Sequence, residues 1–145
     1  MNSALHIRPC NRSDCADVIQ LWKDADATPS ITDIVDQLQR TIAGGNAIVL
    51  VAIDDARRIV GSVIGGWDGW RGNIYRLAVA PSAHRLGNAA RLVHEVSSRL
   101  AIEKGARRIT ALVEKRHPHA TGFWDTTKSE GYELDPRLIR YIKTV

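Results

Sequence analysis

Residues 75–96, with the sequence YRLAVAPSAHRLGNAARLVHEV, constrain the fold more strongly than any other part of the chain. They begin with an apolar run typical of a strand, and Pro81 ends that strand because proline cannot donate to a ladder. A polar loop that contains Gly87 follows, and the chain then enters a helix that stops at Gly105, a usual C-cap residue. A strand that passes directly into a helix is typical of layered α/β domains.

Apolar periodicity predicts the other elements. Two β-branched strands within residues 46–66 are joined by a turn at Asp54 and Asp55. The full predicted order is a strand at 5–8, a helix after Asn11 or Ser13, a helix from Ser30 or Thr32, the two strands of 46–66, a strand at 73–80, a helix at 85–104, a strand at 108–114, a helix from about 119 and a strand at 138–144. This order predicts one mixed α/β domain over residues 1–145, with hairpins first and a strand–helix–strand crossover after them.

The composition is that of an ordinary globular protein, and we expect a cytoplasmic one. Of 145 residues, 44% are apolar and 25% are charged. Cys10 and Cys15 are the only cysteines, and neither CxxC spacing nor a histidine cluster accompanies them, so we expect reduced thiols and no metal site. The sequence shows no signal pattern after Met1, and its apolar runs are too short to span a bilayer. The net charge of +4 indicates affinity for an anion.

The start of the helix after Pro81 is a candidate anion site. The first turn of a helix leaves backbone N–H groups without internal partners, and the helix dipole adds positive potential there. These properties suit a phosphate group. Gly87 and the small Ala89 allow close approach to the backbone, and Arg85 adds a cation. The alternative is a plain strand-to-helix turn in which glycine serves geometry alone.

The same stretch resembles the acyl-coenzyme A (acyl-CoA) binding segment of the GNAT superfamily of N-acetyltransferases. That family has a strand ending in V-x-P, followed by [QR]-x-x-G-x-[GA] at a helix start. His84 replaces the [QR] residue and Arg85 stands next to it. The residues that match are Val79, Pro81, Gly87 and Ala89.

Two further segments carry the resemblance. The segment HPHATGFWDTTKSEGYE, residues 117–133, is similar to the family's N-x-x-A-x-x-[FL]-Y-x-x-x-G-[FY] pattern. The segment GSVIGGWDGWRGNIYRLAV resembles members that carry G-G-x-D-G-x-R-G before the binding strand. The resemblance implies the GNAT fold, a twisted mixed β-sheet whose fourth and fifth strands splay apart, flanked by helices. It also implies acyl transfer from acetyl-CoA, as cosubstrate, to a primary amine of a small molecule, peptide or protein.

The resemblance implies mainly backbone contacts with the cofactor. Main-chain amides from Leu86 to Ala89 would bind the diphosphate, and the strand edge at residues 77–79 would bind the pantetheine and polarise the thioester carbonyl. The implied cofactor-side residues are Leu77, Ala78, Val79, His84, Arg85, Leu86, Gly87, Asn88, Ala89, His117 and Trp124.

The catalytic groups follow the family pattern less closely. Family members often protonate the departing thiolate with a tyrosine, but Trp124 stands at that position. Tyr132 or Tyr75 is therefore the candidate acid, and the alternative is that the thiolate leaves unaided.

Some family members carry a glutamate base on the strand after the long helix, but the resemblance puts Leu112 at that position. We therefore nominate Glu114, two residues further on the same face of the predicted strand at 108–114, with a solvated strand-end carboxylate as its alternative role. Asp68 is the alternative base. The more ordinary role for an aspartate in such a segment is to form a turn.

The partners follow from charge. Between residues 14 and 36 the sequence contains six aspartates and one lysine. This excess of negative charge predicts either an acidic surface that attracts a cationic acceptor or aspartates that simply cap helices. We expect neither a nucleic-acid nor a membrane partner, and the sequence leaves open whether the protein forms a homodimer. The rival functions are a non-catalytic acyl-CoA sensor on the same fold and, less in keeping with the motifs, a basic nucleic-acid-binding module.

Overall fold

The β-branched runs of the sequence form a mixed sheet. The computed structural model describes residues 5–84 and 86–145, and of Pro118 only the backbone. Within these residues five strands pair in the order β1-β2-β3-β4-β5: β1 His6–Pro9, β2 Ala47–Ile53, β3 Ile59–Trp67, β4 Gly72–Val79 and β5 Ile109–Ala111. The first four strands are antiparallel neighbours, whereas β5 runs parallel to β4. The helix between β4 and β5 makes the crossover that a parallel pair requires.

Helices cover both faces of this sheet. The α-helices among the described residues are α1 Cys15–Asp24, α2 Val35–Ala43, α3 Asn88–Lys104 and α4 Pro118–Asp125, with short 3-10 turns at Arg12–Asp14, Pro81–Ala83 and Thr126–Glu130. On one face, Trp22 of α1 and Leu38 of α2 pack in a cluster with Val49 and Val51 of β2. On the other face lies α3, whose Leu100 contacts the glycine positions of β3 and β4.

A bulge interrupts β4 in its second half. Tyr75 pairs with Ile64 and Ala78 pairs with Ser62, so two residues of β4 stand opposite one residue of β3. Arg76 adopts a φ of +52° at this point. A bulge bends its strand and increases the local twist. The pairing of β4 with β5 stops at Ile74 and Ala111, just before the bulge, so the two strands part there.

Several predicted boundaries move. The strand predicted at 108–114 ends at Ala111, because β4 turns away and no longer offers hydrogen-bond partners. Helix α2 begins at Val35 rather than at Ser30 or Thr32, which leaves Ile31 exposed. Helix α3 begins at Asn88 rather than at residue 85, because Gly87 is left-handed. The strand predicted at 138–144 is wrong: these residues have no regular structure and their apolar side chains are exposed.

The chain divides into two compact units. The first, Met1–Leu112, contains the sheet and α1 to α3, and the second, Val113–Val145, contains α4 and the C-terminal segment. In the second unit the rings of Phe123, Trp124 and Tyr132 form a chain of edge-to-face contacts. The single domain expected over residues 1–145 stays a prediction. None of the helices in the described part of the chain has the length and apolarity needed to span a membrane.

Candidate active site

The end of β4 presents backbone groups at an open strand edge. Ala80 N donates to Val60 O over 2.8 Å, so the N–H and C=O of the preceding Val79 point away from β3. The carbonyl of Val79 meets the ring of His84, whose Nε2 lies 2.8 Å away and acts as donor, since a carbonyl only accepts. Within the described residues, no strand pairs with residues 75–79 on the β5 side. This edge is therefore available to an extended ligand.

The loop after β4 is held in shape by one buried side chain. Asn88, only 5% exposed, donates through Nδ2 to Ala83 O over 2.9 Å. The side chain of Asn88 thus points into the loop, so a contribution to a cofactor site has to come from its backbone. Leu86 is exposed at the same loop. Arg85, the predicted cation, lies outside the described residues.

Gly87 and the start of α3 offer donors beside open space. Gly87 has a φ of +75°, and a Cβ atom built on it would meet no atom of the described residues within 4 Å. The first backbone donor of the helix is Arg91, whose N–H bonds to Gly87 O over 3.0 Å. The N–H groups of Asn88, Ala89 and Ala90 precede that bond, so none of them has a helical acceptor. Ala90 extends the set of donors predicted from the sequence by one residue.

Arg76 was missed by sequence reasoning, and it is the residue at the bulge. Its Nη2 lies 2.7 Å from Oδ2 of Asp33 in a largely shielded ion pair. The two residues are 43 positions apart, and no motif joins them. A polar side chain at an unpaired strand end was the only sequence signal for such a contact.

The second unit contains four of the predicted residues: Glu114, His117, Trp124 and Tyr132. His117 is the N-cap of α4, and its Nδ1 accepts the N–H of Ala120 at 3.2 Å, which places the ring proton of a neutral imidazole on Nε2. Trp124, at the family's tyrosine position, packs edge-to-face on Tyr132 with ring centroids 5.2 Å apart. The phenol nominated as a substitute acid therefore lies beside the residue it would replace.

Comparison with known proteins agrees with this geometry. The model of the acetyltransferase (GNAT) family matches residues 15–127. An acetyltransferase of Yersinia enterocolitica is 31% identical over 138 residues, which cover 93% of this chain and 96% of that protein. This chain belongs to the GNAT family.

Solved GNAT structures share the fold at low identity. An aminoglycoside 6'-N-acetyltransferase of Acinetobacter baumannii superposes with a TM-score of 0.75 at 14% identity, over 98% of this chain and 99% of that one. A predicted acetyltransferase of Clostridium acetobutylicum, solved with acetyl-CoA, gives a TM-score of 0.74 at 13% identity over 96% of each chain. The predicted family and fold are confirmed, and so are acetyl transfer and acetyl-CoA as cosubstrate at the level of the family.

Of the two carboxylates nominated as bases, Glu114 occupies a different setting from the one predicted, and Asp68 has the turn role that was its alternative. Glu114 is not on a strand, as we had predicted, because β5 ends at Ala111; it is exposed in the turn before α4, where its carbonyl accepts the N–H of His117. Asp68 accepts the N–H groups of Trp70 and Arg71 at 2.8 and 2.7 Å. The bond from the Arg71 backbone is the main cause that lowers the pKa of Asp68. Asp68 is therefore a turn residue and a weak base.

Half of the six aspartates in the acidic stretch of the first unit form ion pairs within the protein. Asp14, Asp33 and Asp36 form ion pairs with Arg8, Arg76 and Arg40, respectively. A carboxylate that is paired within the protein attracts a cationic acceptor less strongly. Ion pairing within the protein thus gives three of the six aspartates a structural role, which the sequence left open.

Tyr75 is the candidate acid in the first unit. It lies on β4 opposite Ile64, is 41% exposed and packs its ring near Gly66, where an added Cβ atom would stand 3.2 Å from it. Alternation along β4 places Tyr75 on the face that α1 and α2 cover, opposite to Ile74. Both tyrosines remain candidates for the acid.

Proposed function

We propose that this GNAT protein transfers the acetyl group of acetyl-CoA to a primary amine of a small molecule or of a peptide or protein. One observation carries the proposal: the β4 edge becomes open at the bulge, and the chain leads directly from it to a left-handed Gly87 and three helix N–H donors. An extended arm and a diphosphate, linked as they are in CoA, match this sequence of features.

The backbone of the first unit would bind the cosubstrate. The N–H groups of residues 86–90 suit the diphosphate, and a Cβ at Gly87 would meet no atom of the neighbouring described residues within 4 Å, which leaves room for it. Main-chain groups of residues 77–79 suit the amides of pantetheine. An N–H from the same edge would stabilise the negative charge that develops on the thioester oxygen.

The reaction forms one bond and breaks one. The neutral amine nitrogen attacks the thioester carbonyl carbon, the C–S bond breaks, and the amine loses one proton while the thiolate gains one. Glu114 is the proposed base, and Tyr132 or Tyr75 the proposed acid. The contact of Tyr132 with Trp124, which stands at the family's tyrosine position, favours Tyr132 for this role.

A panel of amines tests the proposal through release of free thiol from acetyl-CoA. The panel contains polyamines, lysine peptides and aminoglycosides, the last because structurally similar proteins are named for them. Release that depends on an amine, with formation of the acetylated product, supports the proposal. Tyr132→Phe and Tyr75→Phe form a matched pair, since each removes one hydroxyl, and only the acid should slow turnover. Glu114→Gln should slow turnover mainly at low pH, where the amine is hardest to deprotonate.

Trp124 favours one alternative, the non-catalytic acyl-CoA sensor. An indole N–H is not a useful acid, so this chain lacks the usual side chain at that position. Tight binding of acetyl-CoA without turnover of any amine in the panel would favour the sensor. Cytoplasmic location and dimerisation stay predictions.

A further inference from the structure

Arg76 occupies the bulge of β4 in a conformation that arginine rarely adopts. Its φ of +52° lies in the left-handed region, which is unfavourable for a residue with a Cβ atom. Such a conformation persists only where surrounding contacts hold it. The contacts of the Arg76 side chain therefore help to determine the path of the strand where residues 77–79 begin.

An ion pair and an aromatic ring hold the guanidinium group. The side chains of Arg76 and Asp33 are only 21% and 16% exposed, and their charged groups meet at 2.7 Å. The Arg76 Cζ atom also lies 5.5 Å from the ring centroid of Trp22. The Trp22 ring is fixed in turn, because its Nε1 donates to Oγ of the buried Ser62 over 2.9 Å.

Asp33 is anchored independently of Arg76. The N–H of Asp33 donates to Ser30 O over 3.0 Å, and its Oδ2 accepts the N–H of Ser30 at 2.9 Å. This turn belongs to the connection between α1 and α2. The ion pair thus fastens that connection to β4 at the bulge, while Ser62 pairs with Ala78 just beyond it.

We propose that Arg76, anchored by Asp33, is a positioning residue for the acetyl group of acetyl-CoA. The proposal rests on the proposed function, in which residues 77–79 bind the pantetheine arm and the thioester carbonyl. Arg76 itself touches no reacting atom: its side chain holds the bulge, and the bulge sets the direction of the N–H groups that follow. The donors at residues 86–90 follow a separate loop and bind a diphosphate that CoA and acetyl-CoA share, so loss of the ion pair should weaken the thioester contact, which only acetyl-CoA makes, more than the contacts common to both ligands.

Calorimetric titration with CoA and with acetyl-CoA separates recognition of the acetyl group from recognition of the diphosphate. Arg76→Met removes the ion pair but keeps a Cβ atom and a long side chain, so the positive φ loses the contacts that hold it. Asp33→Ala removes the same pair from its other side. We expect both variants to bind CoA within about twofold of wild type and to lose about fivefold in affinity for acetyl-CoA, the size of one misaligned hydrogen bond. The double variant should lose no more than either single one, because both remove the same interaction.

Arg8→Ala is the matched control. Arg8 and Asp14 form a second ion pair of the first unit, at 2.6 Å and with similar shielding, but it involves β1 at the opposite edge of the sheet. This variant should leave the ratio of the two affinities unchanged.

Three results would overturn the proposal. An unchanged ratio in Arg76→Met, or an equal change of ratio in Arg8→Ala, refutes the positioning role and leaves the proposed function intact. A wild-type protein that binds neither CoA nor acetyl-CoA refutes the proposed function and this inference together.

Discussion

Gly87 combines two properties that a cofactor loop needs. Its φ of +75° disfavours residues with a Cβ atom, and the space where a Cβ would point is open. The first property shapes the entry into α3, and the second allows a ligand to approach the N–H groups. A substitution at this position therefore acts on the ligand as well as on the loop.

Aspartate and asparagine at position 87 separate charge from size. Both tolerate left-handed φ better than other residues, and they are nearly isosteric. We expect Gly87→Asn to weaken CoA binding severalfold through bulk. Gly87→Asp should weaken it at least about tenfold more, because its carboxylate would add about 1.4 kcal/mol or more of repulsion against a diphosphate at the proposed site. Calorimetry measures both affinities, and equal losses would contradict a diphosphate at this position.

The ionisation of Asp14 makes the stability of the folded protein depend on pH. The hydrogen bond from Arg8 is the main cause that lowers the pKa of Asp14, against a smaller opposing effect of burial. Because the pKa is lower in the folded than in the unfolded protein, the ionised carboxylate stabilises the fold above pH about 4. This contribution is lost as the pH falls through the folded-state pKa.

Thermal unfolding of wild type and Asp14→Asn tests this dependence. The difference between their midpoints should be largest at neutral pH and should shrink below pH about 4. Asp36→Asn is the control, since the Asp36–Arg40 pair is well exposed and contributes little. A difference that grows in acid would contradict the assignment to Asp14.

At the scale of elements, glycines set the distance between α3 and the sheet. A Cβ at Gly65 of β3 would stand 2.5 Å from Val96 Cγ2 and 3.1 Å from Leu100 Cδ1. Both helix residues are fully buried, so neither side chain has room to move. The close packing of β3 on α3 thus depends on the absence of a side chain at this position.

Gly65→Ala and Gly66→Ala form a matched pair on opposite faces of β3. We expect Gly65→Ala to lower the free energy of unfolding by about 1–3 kcal/mol through overpacking. Gly66→Ala should cost less, because its Cβ would meet the ring of Tyr75, which is 41% exposed and has room to move. Urea unfolding measures both values, and a larger loss for Gly66→Ala would contradict the described packing.

At the scale of the whole molecule, charge and ligand binding act together. The chain carries a net charge of +4, and CoA is a polyanion. A ligand that binds only the folded protein stabilises it by about 2.7 kcal/mol at 100 times its dissociation constant. The folded state should therefore respond measurably to the cosubstrate.

Acetyl-CoA should raise the thermal midpoint by roughly 5–10 °C at that saturation. Acetyl-pantetheine at the same concentration should raise it much less, because it lacks the diphosphate. Added salt should reduce the acetyl-CoA effect by screening the charges. Equal shifts from both ligands would show that the diphosphate contributes nothing.

The sequence by itself determined the family and the order of the elements from β1 to α4, and it predicted a backbone cofactor site. These properties are local: the V-x-P end of a strand, the glycine at 87 and the alternation of apolar residues follow from the preferences of neighbouring residues. For the same reason the strands β1 to β4 and the helices α1 and α3 lie close to their predicted positions.

Only the tertiary structure decided where strands end and which charges are neutralised. A bulge is recognised only by comparing the residues of two paired strands, so the sequence of β4 alone does not show the bulge at Arg76. The same bulge ends β5 at Ala111 and leaves Glu114 off the sheet. The partner of Asp33 lies 43 residues away. Hydrogen bonds between strands and ion pairs between distant residues form only once the chain has folded, so no local pattern encodes them.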